Sequence, residues 1–286
     1  MSGPKTTIPT LADLRVEIDR IDEAMHRLLM ERGEIIESLI AVKRSQETGS
    51  AFRPAREAAM MRKLVERHHG LLPLDTVESI WRVIISTFTH VQAPYSVHAD
   101  LTSGEAAVRD TVRFHFGFTV PFKPHMSASA VIAAVAESKG DLGLVPATAL
   151  AGAGDWWTAL EADGAPKIIA RLPFVERPDH PASLPVFAVS RSAADAMADE
   201  VKVYSVRVSG WSAAAARALA PLAEMIAVPA GAFDGAALLV SVPQGQSIAQ
   251  ITDALARAEA SVRSVALVGT HATRYTVGGK AIAADR

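Results

Sequence analysis

The chain has 286 residues, 49% of them hydrophobic and 21% charged, with a formal net charge of −2 and no cysteine. The length predicts two or three domains with ordinary soluble cores. The near-neutral charge gives no footing for nucleic acid or an anionic membrane. The missing thiols exclude disulfides, thiol nucleophiles and zinc–thiolate sites, a composition compatible with the reducing cytoplasm.

The opening Met1-Ser2-Gly3-Pro4-Lys5 leads into polar residues, so neither a signal peptide nor a membrane anchor is expected. From Thr10 to about Ser45 the apolar residues fall at helical spacing: Leu11, Leu14, Ile18, Ile21, Met25, Leu28 or Leu29, Ile35 or Ile36, and Leu39. Thr10 followed by Asp13 reads as the N-cap, and Gly49 falls in the break after the helix. Such a helix is roughly 50 Å long, too long for a small compact monomer, which predicts packing against another chain or a long partner helix. Two further helices are expected near 54–69, with Pro54 in the first turn, and 73–92, separated by the stop Gly70-Leu71-Leu72-Pro73. His68 and His69 read as exposed helix-end residues.

Near residue 93 the composition changes from charge-dense and glycine-poor to rich in Gly, Ala, Val and Pro, with Ala93-Pro94-Tyr95-Ser96 as the linker. Residues 97–195 alternate helical and strand-like segments: a helix at Ser127–Ser138, a buried strand at Leu142–Val145, and strands at Ile168–Leu172 and Val186–Ser190. The last stretch runs strand Val203–Val208, helix Ser212–Leu222, strands Met225–Val228 and Ala236–Val242, helix Ile248–Ala258 and strand Ser264–Val268. This β-α-β-β-α-β order is ferredoxin-like. The expected domains are 1–93, 97–195 and 200–278. The fold class is multidomain: an all-α N-terminal three-helix domain, then α/β and ferredoxin-like α+β modules.

Chemistry enters through the cations of the first helix. Arg32 and Lys43 continue the apolar stripe and, at about 100° per residue, project from nearly the same face roughly three turns apart. Cations on a buried stripe need a partner, so an anionic ligand or a carboxylate is expected between them. Arg15 also borders the stripe, about 25 Å from Arg32 along the axis, and would most readily serve the pocket of a second subunit. The second helix opens Arg53-Pro54-Ala55-Arg56-Glu57, and the third ends near the neutral amide of Gln92. Nothing resembles a nucleophilic triad or a metal-ligand cluster, and neither metal nor cofactor is expected.

The ordered set Leu11-Ala12-Asp13-Leu14-Arg15-Val16-Glu17-Ile18-Asp19-Arg20-Ile21-Asp22, Leu28-Leu29-Met30-Glu31-Arg32, Lys43, Arg53-Pro54-Ala55-Arg56-Glu57, Ile84-Ile85 and Gln92 resembles the all-helical (AroQ-type) chorismate mutases. The resemblance covers essentially all of residues 10–92. It implies an intertwined homodimer that rearranges chorismate to prephenate in aromatic amino-acid biosynthesis. Arg15 would enter the partner's site, while Arg32, Lys43, Arg56, Glu57 and Gln92 come from one chain. The step is pericyclic, so the protein has only to hold the compact diaxial conformer and stabilise charge at the breaking ether oxygen. Arg15 and Arg32 suit the two carboxylates. Lys43 and Gln92 are similar to the family pair that donates to the ether oxygen. Glu57 would accept from the ring hydroxyl, and Arg56 would orient Glu57. The departure is Phe88, where the family has a small hydroxyl residue; either Thr87 or Thr89 substitutes, or one carboxylate contact is lost.

The module order resembles the bifunctional chorismate mutase–prephenate dehydratases, with a mutase, a dehydratase and an ACT regulatory domain. Ala106-Ala107 with Phe114-His115-Phe116-Gly117, and Gly140-Asp141-Leu142-Gly143-Leu144-Val145-Pro146, are similar to dehydratase segments. The catalytic motifs are missing: Ala147-Thr148-Ala149 follows Pro146, and Pro185-Val186-Phe187 replaces the Thr-Arg-Phe motif. A catalytically silent dehydratase remnant is therefore expected. The final module resembles an ACT domain through Leu267-Val268-Gly269-Thr270-His271, but Ser212–Ala216 and Val228-Pro229-Ala230 stand where the phenylalanine signatures belong. Two other functions fit the helical resemblance: isochorismate–pyruvate lyase, and a non-catalytic chorismate-binding regulatory subunit of a shikimate-pathway enzyme.

Overall fold

The computed structural model describes residues 9–43, 52–148, 154–191, 198–229 and 235–277, without the side chain of Lys43. The expected helix end at Ser45, the break at Gly49, the Met1–Lys5 opening, Ala149 and Ala230 lie outside the described residues. The contacts divide the chain into two units, 1–48 and 49–286.

The first unit is one helix, α1 (Leu11–Lys43), of 33 residues. Its start is fixed as expected: the Asp13 carboxylate accepts from the Thr10 backbone at 2.9 Å, and Thr10 Oγ1 accepts from the Asp13 backbone at 3.2 Å. Leu11, Leu14, Ile18, Ile21, Met25, Leu28, Arg32, Ile35, Leu39 and Val42 follow each other in alternating steps of three and four, the heptad seam of a coiled coil. Every apolar member of this seam is uncovered in the single chain, from 36% exposed at Leu39 to 75% at Leu11.

The second unit opens with α2 (Pro54–Arg67) and α3 (Leu74–Gln92). It continues through β1 (Val97–Asp100), α4 (Glu105–Phe116), β2 (Phe122–His125), α5 (Ala128–Glu137), β3 (Leu142–Pro146), β4 (Lys167–Leu172), β5 (Val175–Glu176) and β6 (Val186–Ser190). The last run is β7 (Val201–Ser209), α6 (Ala213–Leu219), β8 (Glu224–Pro229), β9 (Gly235–Pro243), α7 (Ile248–Arg257), β10 (Ser261–His271) and β11 (Tyr275–Thr276). Serine side chains start three helices: Ser127 caps α5, Ser212 caps α6, and Ser247 forms a capping box with Gln250 on α7. No helix among the described residues is long and apolar enough to cross a membrane.

One nine-stranded sheet runs β2-β1-β3-β6-β4-β10-β7-β9-β8. Strands β2, β1 and β3 are parallel, and β6 is antiparallel to both β3 and β4. The last four strands have the ferredoxin-like order expected from the sequence, and β10 joins them to β4. All six elements of that module form where the pattern puts them, within a few residues. The sequence reading did not identify β1, β2 and the two-stranded β5–β11 pair.

The helices α2 and α3 do not have a core of their own. Phe52, Met61, Leu64, Val77 and Ile85 share one cluster with Val97 and Ala99 of β1, Val108, Val112 and Phe116 of α4, and Phe174. The expected linker is part of this packing: Tyr95 is 4% exposed, and Ser96 accepts from Leu142 N at 3.0 Å and donates to Asp141 at 2.8 Å. A second cluster packs α5 and Trp156-Trp157 against the sheet, and a third fills the ferredoxin-like module.

Candidate active site

The predicted site residues fall on both units. On α1, Arg15 is exposed and Arg32 is half-buried at a seam position; Lys43 is the last helical residue, and its side chain lies outside the described residues. In the second unit Arg56 is exposed in the first turn of α2, and Glu57, beside it, is buried. Pro54 starts that turn, and a carboxylate there meets the positive end of the helix.

The guanidinium that holds Glu57 is not that of Arg56. Arg82, on α3 and fully buried, donates from Nη1 to Glu57 Oε2 at 2.6 Å. Its Nη2 donates to the His115 carbonyl of α4 at 3.2 Å, and its guanidinium lies 5.1 Å from the Phe174 ring centre. Sequence reasoning missed Arg82, which shares the buried face of α3 with Glu78, Ile85, Ser86 and Thr89; the signal was a cation at helical spacing from buried positions, on a face more polar than that of α1. The ring of His115 is fully buried and held well below the usual imidazole range, first by burial and then by the charges of Arg82 and His180. Burial, and then the charge of Glu57, push the Tyr95 hydroxyl up, against the opposing pull of Arg82.

One turn earlier on α3, Glu78 forms a second buried pair, accepting from Arg177 Nη1 at 2.5 Å; Arg177 Nε also donates to Asp75 at 2.9 Å. Gln92 is half-buried at the end of α3, where Nε2 donates to the Phe88 carbonyl at 3.1 Å. Thr87 and Phe88 are half-buried, and Thr89 is buried. The expected exposure of the helix-end histidines holds for His69, while His68 is half-exposed, with Nε2 bonded to the Leu72 carbonyl at 2.8 Å.

A further titratable chain, also missed, crosses the parallel strands. His98 Nε2 meets Asp141 Oδ2 at 3.0 Å, and His98 Nδ1 meets His125 Nε2 at 2.8 Å. Burial, then the neighbouring His98 and Lys123, lower the His125 pKa against the opposing pull of Asp100. An open cleft of about 330 Å³ between α6 and α7 is lined by Ala218, Pro221, Leu222, Ala254, Arg257 and Ala258, a lining too apolar to hold catalytic chemistry.

With this geometry in view, comparison with known proteins identifies the class of the N-terminal segment: residues 14–93 match the family described as chorismate mutase type II. The segment therefore carries a helical chorismate mutase domain, followed by an α/β sheet region. Among curated proteins, the chain is 30% identical over 140 residues to a bifunctional chorismate mutase/prephenate dehydratase of Aquifex aeolicus, covering 48% of this chain and 38% of that protein. It is 28% identical over 140 residues, with the same coverage, to the protein of that description from Stutzerimonas stutzeri. The chain thus aligns with less than two fifths of the length of these relatives. Among solved structures, a prephenate dehydratase from Streptococcus mutans is 10% identical with a TM-score of 0.38, covering 64% of this chain and 99% of that one.

Proposed function

We propose that this protein is a chorismate mutase that works as an intertwined homodimer in the cytoplasm, and that its dehydratase-like region has lost dehydratase chemistry. The observation that carries the reading is the seam of α1. In a segment matching chorismate mutase type II, Arg32 takes a coiled-coil core position on a helix whose apolar seam is bare in one chain. An exposed seam of this length calls for a second helix.

In this reading Arg15 of one copy and Arg32 of the other hold the two substrate carboxylates. Lys43 and Gln92 donate to the ether oxygen as its bond to carbon breaks and the new carbon–carbon bond forms. No proton moves, so the chain's task is shape and charge. Glu57 accepts from the ring hydroxyl, and Arg56 adds positive potential at the rim.

The test offers chorismate and isochorismate separately to the purified chain and identifies the products. Prephenate from chorismate, with Lys43→Ala and Gln92→Ala each losing about 10²–10³ in kcat, supports the reading. Pyruvate released from isochorismate would replace it with the lyase. No turnover by a folded dimer would replace it with the regulatory subunit. Phenylpyruvate formed from added prephenate would contradict the loss of dehydratase chemistry.

A further inference from the structure

We infer that the α/β region is a working part of the mutase site: through Arg82, a positioning residue, it sets the orientation of the Glu57 carboxylate. This rests on the mutase reading above. At 3% exposure, Glu57 has almost no access to water and needs a partner within the protein. Its partner, Arg82, has no freedom of its own. Nη1 is committed to Glu57 and Nη2 to the His115 carbonyl, and the flat face of the group lies near the Phe174 ring. A guanidinium presents its donors in a rigid fork, so fixing one arm on α4 fixes the direction of the other. The frame comes from outside the helical segment: His115 belongs to α4, and Phe174 follows β4. The uncharged His115 ring adds no second cation to compete for the carboxylate.

The neighbouring pair supplies an internal control. Arg177 with Glu78 and Asp75 is equally part of the packing between α3 and the α/β region, but makes no bond to Glu57. Loss of Arg177 should cost stability alone, whereas loss of Arg82 should also misplace a group that touches substrate.

The experiment measures kcat and KM for chorismate, with thermal midpoints, for the full-length wild type, Arg82→Met, Arg82→Lys and Arg177→Met. Arg82→Met is expected to lose about 10–100-fold in kcat/KM at neutral pH, the scale of a misplaced positioning contact. Arg82→Lys keeps the charge without the fork, so it should restore only part of the rate. Arg177→Met should melt earlier with wild-type kcat/KM. Wild-type kinetics in Arg82→Met would overturn the inference, as would equal losses in Arg82→Met and Arg177→Met. If Arg82→Met does not fold, Arg82→Lys and Phe174→Leu decide: reduced kcat/KM in both supports the inference, and wild-type values in both overturn it. An inactive wild type sinks the mutase reading and this inference with it, and is recognised before any variant is made.

Discussion

His271 is 3% exposed in β10; its Nδ1 meets the Ala272 carbonyl at 2.8 Å, and burial pushes its pKa down to about 4. Above pH 6.5 the ring is neutral in both folded and unfolded chains and contributes no pH dependence. As pH falls from 6.5 toward 4 the unfolded chain takes up the proton first, so stability is lost across that window, by about 3 kcal/mol at its end. The buried His115 acts in the same direction. Urea midpoints of the chain should therefore fall between pH 7 and pH 5, and His271→Gln should flatten that slope; a slope unchanged in the variant would contradict the assignment. Gly143 makes a prediction of another kind. A Cβ there would sit 2.6 Å from Val131 and 2.7 Å from Val189, so Gly143→Ala should destabilise by about 1–3 kcal/mol, read as a lower melting temperature. At this scale the seam position of Arg32 on α1 was legible, because charge interrupting an apolar period is visible in one dimension. The partner of Glu57 was not, because Arg56 is adjacent in sequence while Arg82, 25 positions away, is adjacent only in space.

The longest element, α1, carries an apolar seam whose members are exposed, from 36% at Leu39 to 75% at Leu11. Each seam residue buried against a second helix contributes about 1.5–3 kcal/mol, and a charge placed there would oppose association. Ile21→Asp should therefore shift the protein from dimer to monomer in light scattering and abolish mutase activity, while the second unit keeps its sheet signal in circular dichroism. A fully active dimer would contradict the seam's role. The strands divide by how they are covered. β6, buried on both faces, reads as an apolar run, and β7 alternates; both were legible. β1 and β2 were not, because Val97-His98-Ala99-Asp100 and Phe122-Lys123-Pro124-His125 break the apolar pattern. Their polar groups satisfy one another instead: His98 bonds to His125 and Asp141, and Asp100 accepts from Thr102 N at 2.9 Å. The contact between two imidazole nitrogens needs one proton shared between them.

Helices α2 and α3 and the α/β region are successive in sequence but share one core in space, since α2 and α3 pack into the cluster of β1, α4 and Phe174. A fragment ending at residue 93 would leave Met61, Leu64 and Ile85 uncovered and Arg82 without its frame. It should aggregate or melt well below the full chain, and an equally stable, equally active fragment would contradict the shared core. Boundaries drawn by composition near residue 93 could not reveal this, because packing across a boundary leaves no mark in composition. The central claim is that two copies of α1 build each mutase site together. Subunit complementation tests it most directly, using Arg15→Ala and Lys43→Ala chains co-expressed and assayed for prephenate formation from chorismate. Each variant alone should be nearly inactive, and the randomly paired mixture should recover about a quarter of wild-type activity, since half the dimers then contain one intact site. Mixed dimers that form but recover nothing would show that Arg15 and Lys43 do not act across the subunits, and the account would fail.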